Sequence, residues 1–166
     1  MLVALLALVL VPAGLAARTS ASSMEALDSG VLAELNAIRA QHGLVPLRLD
    51  AELGAAALAH SEQMAADGYF HHDSDGGAPF WTRLRAYESG STSGYWSVGE
   101  NLLWSSPGVD PSRALQMWMA SPDHRRNILT ARWRDVGVAA VHVESAPGFY
   151  GGRPVTIITT DFGVRR

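Results

Sequence analysis

Two histidines and one glutamate, each set among apolar residues, are the side chains of this sequence best suited to chemistry. His72 lies in the run Phe-His-His-Asp-Ser, Glu100 in Gly-Glu-Asn-Leu, and His124 in Ser-Pro-Asp-His-Arg-Arg-Asn-Ile-Leu. Two imidazoles and a carboxylate in one cleft would form either a divalent-cation site with open coordination positions or a polar floor of mutual hydrogen bonds. Glu100 could act as a ligand, as an acceptor of backbone N–H groups, or as the group that orients one histidine.

Two serines and two arginines lie close to these histidines in the chain. Ser74 and Ser121 offer hydroxyl groups, but no accompanying base and orienting group mark either as an activated nucleophile. Arg125 and Arg126 follow His124 directly and would bind an anionic group such as a lipid phosphate, or instead cap a helix and pair with nearby acids. The pattern favours a binding site over a catalytic one.

The N-terminus resembles a secretory signal. The apolar run from Leu2 to Val11 is too short to cross a bilayer as a helix, which needs about 20 residues, and small residues follow it. Cleavage after Ala16 or Ala17 would suit a signal peptidase. The alternative is a buried N-terminal helix. We expect residues 1–17 to be a signal peptide and the protein to be secreted, with no transmembrane span.

The remainder suits one domain with a short leading linker. Small polar residues predict a linker over 18–27, and residues 28–166 are long enough for one sizeable core. The net charge of −3 argues against a nucleic-acid partner, which would require a basic surface. Because the chain has no cysteine, any metal site must use imidazole and carboxylate ligands. Abundant Ala, Arg and Gly without Lys are typical of a bacterial, GC-rich genome.

Periodicity predicts helices followed by strands. Helices are expected at Asp28–His42, at Ala51–Ala66, from Pro79 through Tyr87, and from Pro111 to the residue before Pro122. A short strand is expected around Glu100, and the β-rich runs 133–141 and 155–162 should form an antiparallel hairpin. Helices on both faces of such a sheet give an α+β sandwich.

Three ordered motifs resemble one extracellular family. The stretch Tyr-Phe-His-His-Asp-Ser, the tetrapeptide Gly-Glu-Asn-Leu and the run Trp-x-x-Ser-Pro-x-His-Arg-x-Asn-Ile-Leu occur here at 69–74, 99–102 and 118–129. They are similar to bacterial SCP-like domains of the CAP superfamily, which groups cysteine-rich secretory proteins, antigen 5 and pathogenesis-related-1 proteins. The closing Asp161-Phe162-Gly163 also matches. The resemblance covers nearly the whole mature chain.

This resemblance implies a three-layer α-β-α sandwich with a central antiparallel sheet and a large cleft. Family members often carry two histidines and two acidic residues there, able to hold a divalent cation such as zinc. The histidines correspond to His72 and His124 and one glutamate to Glu100, whereas the position of the second glutamate is Ser121. The full tetrad is therefore incomplete in this chain.

Three functions are consistent with these features. The first is a secreted binding domain whose cleft, formed by His72, Ser74, Glu100, Ser121 and His124, holds a lipid, sterol or glycan, with or without a cation. The alternatives are a metal-assisted hydrolase of peptide or cell-wall bonds, with His72, His124 and Glu100 at the metal, and a structural or interaction protein of the envelope. The sequence favours the binding domain and does not favour an enzyme.

Overall fold

The alternating C-terminal runs form the centre of a four-stranded sheet in the order β1–β3–β4–β2. The computed structural model describes residues 13–89 and 94–166, with side chains from residue 23 onward. The strands are β1 (Arg48–Leu49), β2 (Trp96–Ser105), β3 (Asp135–Ala146) and β4 (Arg153–Arg165). β4 pairs antiparallel with both β2 and β3, whereas the two-residue β1 joins β3 in parallel. The predicted hairpin and the strand at Glu100 are both confirmed.

Within the described part of the chain, five α-helices surround the sheet. They are α1 (Ala13–Gln41), α2 (Ala51–Asp67), α3 (Arg85–Ser89), α4 (Pro111–Ala120) and α5 (Pro122–Ile128). A 3₁₀ helix (Phe80–Leu84) precedes α3, and a second one (Gly148–Tyr150) lies in the β3–β4 turn. The side chain of Asp50 caps α2 by accepting from the N–H groups of Glu52 and Leu53, and Gly68 ends the helix in the left-handed conformation.

β4 is buried on both faces, which produces three layers. On one face of β4, Ile158 and Phe162 pack with α1, α4 and α5; on the other, Val155 and Ile157 pack with α2. The α2 layer lies very close to the sheet, since a Cβ added to Gly137 in β3 would overlap the backbone of Leu53. The α+β sandwich is confirmed, and its sheet is antiparallel apart from β1.

The N-terminal boundaries differ from the sequence predictions. Residues 18–27, expected as a linker, belong to α1, so that prediction is wrong for this segment. No Gly or Pro interrupts it, and Met24 and Leu27 pack against the core of the α1 face. Residues 1–12 of the expected signal peptide lie outside the described residues. Among the helices described, none combines the length and hydrophobicity needed to cross a bilayer.

Candidate functional site

A polar cleft opens beside β2, the strand at one edge of the sheet. Its volume is about 460 Å³, and its walls come from the loop after α2, from β2, from α5 and from the turn after α5. Four of the five residues expected at the site line it: His72, Glu100, Ser121 and His124. The structure thus places three distant chain segments around one hollow.

Glu100 forms the floor of this cleft within a buried ion pair. Its side chain is 1% exposed, and its Oε2 accepts a hydrogen bond of 2.6 Å from Nη2 of Arg83. Its Oε1 lies 2.8 Å from Nδ1 of His72. Because both carboxylate oxygens face hydrogen-bond donors, burial of this charge is compensated.

His72 is fixed at the rim by the loop that carries it. Nη1 of Arg83 donates to the backbone carbonyl of His72 at 2.8 Å, and Nε2 of His60 lies 3.1 Å from the carbonyl of His71. Since Nδ1 of His72 faces the Glu100 carboxylate, this nitrogen carries the proton and leaves Nε2 as the basic one. The imidazole is half exposed, so Nε2 is the nitrogen available to a ligand.

A second carboxyl group lies behind Glu100. Asp161 pairs with Glu100 across β4 and β2 and is fully buried. Burial, and next the charge of Glu100, raises the pKa of Asp161 well above its ordinary value. Burial also lowers the pKa of His60 to about 4. In both groups burial favours the uncharged form, whereas Glu100 and Arg83 compensate each other as an ion pair.

His124 enters the cleft from the first turn of α5. Pro122 occupies the first helical position after Ser121, which ends α4 and begins α5. The side chain of Asn101 in β2 donates to the carbonyl of His124 at 3.2 Å and in turn accepts from Asn127 at 3.0 Å. Burial, and next the nearby His72, lowers the pKa of His124. Its imidazole is therefore neutral at pH 7.

Arg39 of α1 holds the opposite end of α5. Its guanidinium is fully buried and donates from Nη1 to the carbonyls of Ile128 at 2.8 Å and Thr130 at 3.1 Å. Nε and Nη2 donate to the carbonyl of Val45. A cation at a helix C-terminus also interacts favourably with the helix dipole. The position of His124 thus depends on α1, which is far away in sequence.

A smaller apolar pocket adjoins the polar cleft. Its volume is about 250 Å³, and Ser121 and His124 line both spaces. Its other walls are apolar and come from the α2–loop junction, β2 and α4: Phe70, Leu102, Leu103, Trp104, Met117 and Trp118. The two spaces together form one site with a polar part and an apolar part.

The fifth expected site residue, Ser74, does not line the cleft. Its Oγ lies 3.4 Å from Nη1 of Arg83 and so belongs to the support of the floor. Sequence reasoning did not identify Arg83, because an arginine in a short helix gives no sign of a partner 17 positions later. Asp161 gave a detectable signal, namely a lone acid within an apolar strand.

The metal set His72, His124 and Glu100 stays a prediction. Within the described residues, no group of three or more His, Cys, Asp or Glu side chains is arranged to hold a metal ion. Glu100 already binds Arg83 and His72. The donor set that fits a cation is therefore two imidazoles, with Glu100 orienting His72 rather than ligating.

Comparison with known proteins agrees with this architecture. A sequence model of the cysteine-rich secretory protein family, CAP, matches residues 32–156. YkwD of Bacillus subtilis is 34% identical over 121 residues, which are 72% of this chain and 44% of YkwD. The B. subtilis membrane protein YlbC is 32% identical over 111 residues, 67% of this chain and 30% of YlbC. This chain thus spans less than half the length of these relatives.

Solved structures show the same fold. An extracellular SCP-domain protein of Bacillus anthracis has a TM-score of 0.69 and 26% identity, covering 96% of this chain and 45% of that one. An outer surface protein of Borrelia burgdorferi has a TM-score of 0.64 and 17% identity, covering 82% of this chain and 90% of that one.

Proposed function

Since the chain belongs to the cysteine-rich secretory protein family, CAP, we propose that it is an extracellular domain that binds a small amphipathic ligand with an anionic polar end. The observation that carries this proposal is the shared wall of Ser121 and His124 between the polar cleft and the apolar pocket. A ligand with both characters would occupy both spaces at once. Among the ligand classes expected from the sequence, a lipid fits this geometry better than a glycan.

The charges around the cleft support an anionic polar end. The charge of Glu100 is compensated by Arg83, and Asp123 pairs with Arg126 at 2.9 Å. Arg132 lies over the Trp133 ring at 4.6 Å, and no described carboxylate forms an ion pair with it. Arg132 is therefore the cation left for a ligand phosphate or carboxylate, which guanidinium groups bind in a bidentate manner.

The apolar pocket supports the other end of the ligand. Trp104 and Phe70 are partly exposed, and both contact the exposed ring of Phe149, with centroid distances of 5.6 and 6.0 Å. Burying one methylene group of a ligand contributes about 0.8 kcal/mol, or roughly a fourfold gain in affinity. A short alkyl chain would therefore add substantially to the binding of the polar end.

One observation favours a cation as a second candidate. The contact of Nδ1 of His72 with Glu100 leaves Nε2 as the basic nitrogen, which is how carboxylates orient metal-binding imidazoles. His72 and His124 would then be the ligands, and zinc affinity would fall as the pH decreases, because protons compete with the metal for the imidazole nitrogens. Titration with zinc of the wild type and of the His72→Ala, His124→Ala double variant tests this candidate.

Calorimetric titration with monooctyl phosphate below its micelle concentration tests the main proposal. We expect about a tenfold loss of affinity in Arg132→Ala, which removes a charge-assisted contact, and a similar loss in Met117→Trp, which fills the apolar pocket. Arg48→Ala is the matched control, because Arg48 is 78% exposed and lies in β1 at the other edge of the sheet. Inorganic phosphate and neutral octyl glucoside separate the two ends of the ligand.

Equal affinities of the Arg132, Met117 and Arg48 variants would contradict the proposal. Loss of affinity in only Met117→Trp would retain the apolar pocket and reject the anionic end.

A further inference from the structure

The sheet has a second open edge, far from the cleft. β1 pairs with β3 only at Asp135 and Val136, so the described residues provide no strand along the rest of that side. The carbonyl of Val136 accepts from Asp50, and the N–H of Ala140 donates to Oδ1 of Asp28 at 2.7 Å. Because backbone groups of alternate residues point to the same side of a strand, those of His142 also point outward, before the register shift between Val143 and Ala146 interrupts the alternation.

Two helices overhang this edge from opposite faces of the sheet. α1 contributes Met24, α2 contributes Leu58 and Glu62, and β3 forms the floor of a groove of about 480 Å³. Leu58 is 43% exposed, one of the few large apolar side chains left at the surface of the described chain. The groove therefore combines an unpaired strand edge with an apolar wall.

The rim of this groove is acidic. Glu62 and Glu144 line it, and neither Lys nor Arg does so among the described residues. Asp28 lies at the inner end of the groove. Burial, and to a smaller extent the charge of Glu25, raises the pKa of Asp28 to about 6. At pH 7 this carboxyl group adds further negative charge. A cationic partner matches this rim, whereas a second copy of this chain would bring the same acidic residues against it.

We propose that the groove binds an extended basic peptide segment, which adds to the sheet as a strand beside β3. Main-chain hydrogen bonds to His142 would supply affinity, as in other cases of strand addition. The apolar side chains of the segment, which share one face of the added strand, would pack against Met24 on the α1 side. Its Lys or Arg side chains, on the opposite face, would pair with Glu62 on the α2 side.

The test uses a synthetic peptide, acetyl-Lys-Val-Arg-Val-Lys-Val-amide, and follows backbone amide shifts by NMR. We expect perturbation at 141–144 and a binding constant that weakens with salt. His142→Pro removes the outward N–H at an edge position where proline is tolerated, and His142→Ala keeps that N–H without the imidazole. The proline variant should bind about fivefold more weakly than the alanine variant, because one hydrogen bond is lost.

Two further peptides test the proposal without any change to the protein, so the result does not depend on the folding of a variant. A peptide N-methylated at alternate amides should not bind, because it lacks the N–H groups that a strand requires. The same sequence with Glu at the basic positions should also not bind. Equal binding of the proline and alanine variants, or of the basic and acidic peptides, would overturn the proposal. Arg132→Ala in the distant cleft should bind the peptide as the wild type does.

Discussion

Glutamine in place of Glu100 preserves the shape of the side chain and removes its charge, which isolates the ion pair beneath the cleft. Arg83 would then keep its charge at a site where its side chain is only 12% exposed. Removing one partner of a buried pair costs about 3–5 kcal/mol, because the other charge stays buried without compensation. Glu100→Gln should therefore destabilise the fold strongly.

The neighbouring Asp161 places the expected loss at the lower end of that range. In the wild type, burial and the Glu100 charge raise the pKa of Asp161. In Glu100→Gln the second cause disappears while Arg83 remains, so the pKa of Asp161 should fall and its carboxylate should partly replace Glu100. We expect a loss of about 3 kcal/mol, equivalent to roughly 10 °C in Tm for a domain of this size.

Urea unfolding followed by tryptophan fluorescence measures the change, and carbon NMR of the Asp161 carboxyl group measures its titration. Asp123→Asn is the matched control, because Asp123 pairs with Arg126 at 2.9 Å but the two side chains are 85% and 74% exposed. That variant should lose less than about 1 kcal/mol. A Glu100→Gln variant no less stable than Asp123→Asn would refute the assignment of the ion pair as the structural support of the cleft.

Two other predictions concern the buried side chains of Arg39 and His60. Arg39→Met leaves the carbonyls of Val45, Ile128 and Thr130 without this donor. The free energy of unfolding should fall by about 3 kcal/mol, and hydrogen exchange in α5 should become faster. Arg48→Met, on the exposed β1, is the control and should change stability by less than about 0.5 kcal/mol. The pKa of His60 is lowered to about 4 in the folded state, against about 6.5 in the unfolded state. The contribution of neutral His60 to folding stability is therefore fully present above pH 6.5. It is lost as the pH falls from 6.5 to 4, by up to about 3 kcal/mol. In urea unfolding from pH 7 to 4, His60→Gln should lack this part of the pH dependence; identical profiles for variant and wild type would contradict it.

The sheet could be predicted because its pattern is local. The hairpin of β3 and β4 combines alternating β-branched residues with a Gly/Pro-rich turn, and both signals lie within one stretch of sequence. The start of α1 could not be predicted in this way. Serine and alanine at 18–27 suit a linker as well as a helix, and only the packing of Met24 and Leu27 against the core favours the helix.

Pro122 shows how one local signal can have two structural consequences. Sequence reasoning treated this proline as the end of α4, because proline cannot continue a helix. In the structure it also begins α5, where the first helical position does not require an N–H. The change of chain direction at Ser121, between α4 and α5, brings His124 beside β2. Nothing in the local sequence pattern specifies this change of direction.

The sequence motifs identified the site residues, but they did not identify the residues that hold these side chains in place. His72, Glu100 and His124 stand in recognisable segments, but the groups that fix them include Arg83 and Arg39, from two other elements. Such pairings join residues up to 94 positions apart, so they depend on the completed fold. Ser74 was expected in the cleft because it is adjacent in sequence, yet it supports Arg83 instead.

The distribution of burial separates the structural residues of the cleft from those available to a ligand. Glu100 is almost fully buried and uses both oxygens, so it can act on a ligand only through His72. Arg132 is exposed and contributes little to the core. Substitutions at Arg132 should therefore change ligand affinity at nearly constant stability, whereas substitutions at Glu100 or Arg83 change both. A comparison of affinity with stability across these three residues distinguishes ligand recognition from structural support of the cleft.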